Sequence, residues 1–200
     1  MTRYFDASAL AKRYVRETGS TTVRRLLASG SAATSRLSDV EVSSAIVRRA
    51  REGAFTIDER DRMLAALQHD VPALAMVELT PEITADARTL LLRYPLRTGD
   101  AVHLASALYL QRQLAQPVPF VAYDRRLVLA AHAEGLVVTG AWGGPQRDVT
   151  KAMRIVEQVG IGNPPVPGDT VPTNVIRRPR TRKRRRPQKR IREISAPNEL

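Results

Sequence analysis

Four carboxylates, Asp6, Glu41, Asp100 and Asp124, each stand where an apolar, strand-like run ends or a helical pattern begins, and no other feature limits the fold of this chain so tightly. Short apolar runs alternating with helical segments favour an α/β protein with a mainly parallel sheet covered on both faces. In open sheets of that kind, ligands bind beyond the carboxyl ends of the strands, so acids spread over more than a hundred residues can converge there. Converging carboxylates repel one another unless a cation sits among them. Carboxylate oxygens suit Mg²⁺ or Mn²⁺.

The pattern predicts a strand over residues 3–6, a helix over 8–16, a turn at Gly19 and Ser20 opening a second helix, and a buried strand over 31–35. Ser38-Asp39-Val40-Glu41 fits a capping box and starts a helix that Gly53 ends. A long amphipathic segment over 56–74 follows, then a strand at 76–79 and a helix over 81–94. Thr98-Gly99-Asp100 opens another helix, residues 118–123 read as a strand ending at Asp124, a helix runs over 125–134, and 136–138 form a last strand.

Beyond Trp142 the composition changes. The chain carries a net +12, of which residues 150–200 supply 13 Lys/Arg against 4 Asp/Glu. The strong basicity therefore belongs to the end of the chain, where it implies affinity for polyanions. Residues 163–173 are rich in Pro and Gly, and 177–192 hold 11 Lys/Arg in 16 positions. We expect residues 143–200 to be a mostly disordered extension, with one isolated helical segment at 149–159, beside a domain over 1–142. With no cysteine, disulfides, a thiol nucleophile and thiolate zinc ligation are excluded, and His69, His103 and His132 are too scattered for a helical zinc pair. The absence of an apolar leader or a run long enough to span a bilayer leads us to expect a cytoplasmic protein without a membrane partner.

Each acid also has a structural reading. Asp6, Asp100 and Asp124 fit helix N-caps or first-turn residues, and Glu41 fits the second half of its capping box. Capping alone does not require acids to follow strand runs, so the set reads as a metal site. Asp39, Asp58, Glu59, Asp61 and Glu82 read as caps only. His103, one turn after Asp100, reads as a helix-surface or groove residue. The Ser8 hydroxyl either caps the first helix or bonds a phosphate or a metal-held water.

Four segments, Tyr-Phe-Asp6-Ala-Ser8-Ala-Leu, Ser38-Asp-Val-Glu41, Gly99-Asp100-Ala-Val-His-Leu-Ala and Phe-Val-Ala-Tyr-Asp124-Arg-Arg-Leu, occur in an order and spacing that resembles the PIN-domain ribonucleases, specifically the VapC-type toxins of toxin–antitoxin pairs. The resemblance covers residues 3 to about 142. It implies a PIN-like three-layer α/β/α fold, commonly a homodimer, that cleaves RNA with Mg²⁺ or Mn²⁺ and is restrained by a small antitoxin. Asp6, Glu41, Asp100 and Asp124 would then be the catalytic, metal-holding quartet, with Asp6 and Asp100 foremost. Ala122 stands where such proteins commonly place a hydroxyl residue, and the basic extension is foreign to the domain.

Two rivals stand beside that reading. A phosphotransfer or phosphatase site would pair a nucleophilic Asp with a lysine, and Lys12, inside the first helix, is the single lysine before residue 150. A non-catalytic RNA-binding scaffold would work through the basic tail, with Arg182, Lys183, Arg184, Arg185 and Arg186 as candidate substrate-binding residues beside Ser8. No Phe, Tyr or Trp follows Trp142, so the tail can bind RNA through phosphates but not by base stacking.

Overall fold

The computed structural model describes residues 1–139. The expectations for residues 140–200, including the tail, its isolated helix and Arg182 to Arg186, lie outside the described residues. The chain runs β1 (Thr2–Phe5), α1 (Ala7–Ala11), α2 (Ser20–Ala28), β2 (Ser31–Ser35), α3 (Leu37–Arg51), α4 (Ile57–Asp70), a 3₁₀ turn (Val71–Ala73), β3 (Ala75–Val77), α5 (Pro81–Arg93), α6 (Thr98–Leu114), β4 (Phe120–Val121), α7 (Arg125–Ala133) and β5 (Val138–Thr139). The strands form one parallel sheet in the order β3-β2-β1-β4-β5. The chain winds outward from β1 on one side, then crosses back to β4 on the other. The point of reversal therefore lies between β1 and β4, where a crevice forms at the strands' carboxyl ends.

Side chains alternate across a strand, and β1 shows the consequence. Tyr4 packs with Phe120, Val118 and the inner faces of α5, α6 and α7. Phe5 packs on the opposite face with Leu10, Val23, Val42, Ile46, Leu67 and Val121. The result is the three-layer α/β/α arrangement the pattern predicts. Tyr4, Phe5 and Phe120 are almost fully buried, and withdrawing a side chain of that size from water contributes on the order of 1.5–3 kcal/mol.

Several elements differ from the sequence reading. α1 stops at Ala11 rather than residue 16, because Lys12, Arg13 and Tyr14 donate to carbonyls three residues back and tighten the turn. That turn brings Val15 into the core and Lys12 against Glu17. The Ser38–Glu41 capping box does not form: α3 begins at Leu37, the Ser38 hydroxyl lies 2.5 Å from that of Thr34, and Glu41 turns to another partner. A capping box does form at Thr56 and Glu59, opening α4. α4 ends at Asp70, and Pro72 follows in the 3₁₀ turn, where its ring and missing N–H oppose further α-helix. β4 and β5 pair over only two residues each, shorter than the apolar runs that contain them. Among the described residues no helix is long and apolar enough to cross a membrane.

Candidate active site

Asp6 follows β1 directly, and its N–H donates to the Val121 carbonyl of the neighbouring strand, so the sheet itself fixes its backbone. Its side chain caps α1: the Ala9 N–H donates to Oδ1 at 2.8 Å, and the Ser8 hydroxyl donates to Oδ2 at 2.7 Å. The capping reading and the site reading are thus both true of one residue. Burial pushes the Asp6 carboxyl above its ordinary value, the nearby Asp100 charge pushes the same way, and His103 and the two hydrogen bonds oppose them.

Asp100 sits in the first turn of α6, where Oδ2 accepts the Arg97 N–H at 3.1 Å. Its carboxyl is also raised, first by burial and then by the charge of Asp124, against the pull of the Arg97 N–H and of the Arg97 and Arg126 cations. Asp124 caps α7, its Oδ1 accepting from the Arg126 and Leu127 N–H groups at 2.9 and 3.1 Å. Glu41, on the first turns of α3, points at α6. Its Oε2 lies 2.8 Å from His103 Nε2, and a methyl group placed on Gly99 would overlap its Oε1.

A cavity of about 250 Å³ is lined by Asp6, Ser8, Glu41, Arg48, Arg97, Asp100 and His103, among others. Three of the four predicted acids and Ser8 therefore share one hollow at the sheet's point of reversal. Asp124 is outside that lining and reaches the group through its charge on Asp100. Among the described residues, no three His, Asp or Glu side chains already stand in ligand geometry. The donor set nevertheless suits a hard cation: Asp6 and Asp100 carry charges that burial opposes, and a cation among them would relieve that cost.

Of the two readings of His103, helix surface or groove, the structure supports the groove, since His103 lines the hollow. It is not on the helix surface: only 2% of the residue is exposed, and its ring bridges Glu41 and Tyr4. The sequence signal was its position three residues after Asp100, which places both on one side of α6. Gly99, Arg48 and Arg97 join the site only in the structure. Gly99 was visible only as the residue beside an acid, and Arg48 and Arg97 become neighbours of the acids only through the fold.

Two larger clefts, about 540 Å³ each, both include Arg13, Tyr14 and Asp70 and are lined by none of the four acids. Asp70 there accepts from Arg13 Nε at 2.5 Å and from the Tyr14 hydroxyl at 3.1 Å, so its charge is already compensated. Lys12 is similarly engaged, 2.7 Å from Glu17 and 4.5 Å from the centre of the Tyr123 ring, which removes the lysine that a phosphotransfer site would need.

The PIN domain family model matches residues 3–133. Ribonuclease VapC45 of Mycobacterium tuberculosis (strain CDC 1551 / Oshkosh) is 40% identical over 144 residues, 69% of this chain and 94% of the relative. Ribonuclease VapC47 of the same strain is 34% identical over 139 residues, 67% of this chain and 93% of the relative. Among solved structures, Mycobacterium tuberculosis VapC20, described as a sarcin-ricin loop cleaving toxin, superposes with a TM-score of 0.51 at 19% identity. It covers 68% of this chain and 97% of its own, a likeness of fold.

Proposed function

The chain belongs to the PIN-domain family, among the VapC-type ribonucleases, and from that premise we propose that it is a metal-dependent endoribonuclease serving as the toxin of a toxin–antitoxin pair. The observation that supports this most is the shared hollow of Asp6, Glu41 and Asp100 at the point of reversal of the sheet.

Asp6 and Asp100, with Glu41 and Asp124 beside them, would hold Mg²⁺ or Mn²⁺. Such an ion supplies an activated water as nucleophile and stabilises charge developing on the scissile phosphate. The chain's own residues prepare that site. The Ala9 N–H and the Ser8 hydroxyl lock Asp6 with both oxygens placed, so little ordering remains when a ligand arrives. Ser8, its proton committed to Asp6, keeps only acceptor capacity at the hollow, which suits a water held there rather than a phosphate oxygen. Arg48 and Arg97 line the same hollow and offer guanidinium groups to the phosphates on either side of the bond. A non-catalytic scaffold would have no use for Asp6 and Asp100 charges held against burial, which disfavours that reading.

We assign RNA as substrate, a small cognate antitoxin as inhibitor, a homodimer as working form and the cytoplasm as its place. The test is expression in a bacterial host. The full chain is expected to arrest growth and degrade RNA unless the cognate antitoxin is co-expressed. Harmless expression, together with no cleavage over a broad RNA panel in Mg²⁺ or Mn²⁺, sinks the toxin reading.

The basic run over residues 177–192 adds a separate expectation. If about six of its cations engage a single strand, log affinity falls against log salt with a slope of roughly −4. Removing residues 146–200 is expected to flatten that slope and leave the cleavage site unchanged, because site choice would lie with the folded hollow. An unchanged slope in RNA-binding titrations across salt would leave the tail without an RNA role.

A further inference from the structure

His103 has both ring nitrogens occupied inside the protein. Nε2 lies 2.8 Å from Glu41 Oε2, and Nδ1 lies 3.0 Å from the Tyr4 hydroxyl. Tyr4 is in turn immobilised. It is fully buried, stacked on Phe120 with ring centres 5.6 Å apart, and set edge-on to the His103 ring at 6.0 Å. A carboxylate only accepts hydrogen bonds, so Nε2 carries the proton that joins His103 to Glu41, whatever the charge of the ring. In the neutral ring, Nδ1 then accepts, and the Tyr4 hydroxyl donates to it. Burial raises the Tyr4 pKa, which keeps that donor proton in place.

This chain of contacts runs from the hydrophobic core to one carboxylate of the hollow. Glu41 needs it. Asp6 is held by a backbone N–H and a neighbouring hydroxyl, and Asp100 by a backbone N–H. Glu41 has a longer side chain with three torsions, 35% of it exposed, and no backbone donor holds it among the described contacts. We propose that His103, anchored by Tyr4, is the positioning residue that fixes Glu41 through Oε2 and so holds its carboxylate at the cation site. The inference rests on reading the hollow as a divalent-cation site. Ordering Glu41 in advance means that a cation does not have to order it, and partners of ligating carboxylates typically change metal affinity 10–100-fold.

The test is Mn²⁺ binding by the full chain, measured by calorimetry, for the wild type, His103→Phe, His103→Gln and Tyr4→Phe. His103→Phe keeps a ring in the core and removes the donor, and is expected to weaken Mn²⁺ binding about 10–100-fold. His103→Gln carries an amide N–H for Glu41 and is expected to recover affinity to within a few-fold. Tyr4→Phe, which frees the ring without removing the donor, falls between. Wild-type affinity in His103→Phe, or no recovery in His103→Gln with a normal melt, overturns the positioning role. A second readout needs no metal. In the metal-free chain, nitrogen-15 NMR should show a slowly exchanging His103 Nε2–H that shifts in Glu41→Gln. If the wild type binds no Mn²⁺ while that resonance behaves as expected, the cation-site reading fails and the hydrogen bond stands. If the resonance is absent or does not respond, the inference itself fails.

Discussion

Asparagine in place of Asp6 or of Asp100 is expected to abolish Mg²⁺-dependent RNA cleavage while the fold survives, and at position 6 the metal-free protein is expected to become more stable. Asn caps a helix about as well as Asp, so the bond from the Ala9 N–H to Oδ1 persists and α1 keeps its start. What is lost is a ligand charge. A metal site supplies several kcal/mol of transition-state stabilisation, and with each 1.4 kcal/mol worth tenfold in rate, the loss should reach roughly 10³-fold or more. The gain in stability follows from the raised Asp6 carboxyl. Its pKa is higher folded than unfolded, so the folded state binds the extra proton. The group's contribution is then complete below the ordinary value of 3.8 and is lost as pH rises through the folded value. Asn imitates the protonated form at every pH. The melting difference between Asp6→Asn and the wild type should therefore open as pH rises and close towards 3.8, with each kcal/mol appearing as roughly 2–4 °C. Mg²⁺ should reverse the order by stabilising only the wild type, by about 2.7 kcal/mol at a hundred times its dissociation constant. Melts across pH with and without Mg²⁺, beside cleavage assays, decide it. A variant that cleaves normally with a normal melt removes Asp6 or Asp100 from the site.

The positions of Asp6, Asp100 and Asp124 were legible because each depends on one local fact, an apolar run or helical pattern meeting an acid. Parallel topology then delivers Asp6 and Asp100 to the same hollow without further information. Tyr4 and Phe5, adjacent on β1, serve opposite cores, as side-chain alternation along a strand requires. What failed was inference from local pattern where tertiary contacts compete. Ser38 and Glu41 have the spacing of a capping box, but α3 starts one residue before Ser38, so Ser38 lies within the helix beside Thr34, and Glu41 faces His103 across the hollow. Burial of His103 was equally hidden. α6 carries seven successive buried residues, Ala101 to Ala107, because it lies between the sheet and its neighbouring helices. A helix covered on several sides has no amphipathic stripe from which to read which residues face in. Arg48 and Arg97 illustrate the same limit, since 49 residues of chain separate two cations that line one cavity.

Gly99→Ala should separate function from stability at this site. Gly99 lies in the first turn of α6 and is not among the glycines with positive φ, so nothing in its backbone demands glycine. Within a helix, alanine is intrinsically favoured over glycine by up to about 1 kcal/mol, less in a first turn. The melting temperature is therefore expected to hold or rise slightly. The added methyl, however, would overlap Glu41 Oε1, the far end of a flexible side chain, so Glu41 gives way and the backbone does not. Displacing it breaks the hydrogen bond from His103 and moves the carboxylate from its place at the hollow, and cleavage should fall on the order of 100-fold, with weaker Mn²⁺ binding. The cause can be isolated by a double-mutant cycle in Mn²⁺ affinity. In a Glu41→Ala background there is no carboxylate to displace, so Gly99→Ala should then have almost no effect. An undiminished effect in that background would mean the methyl acts on some other group. Wild-type cleavage by Gly99→Ala alone would mean that the orientation of Glu41 does not matter, and that Asp6 and Asp100 suffice to hold the cation.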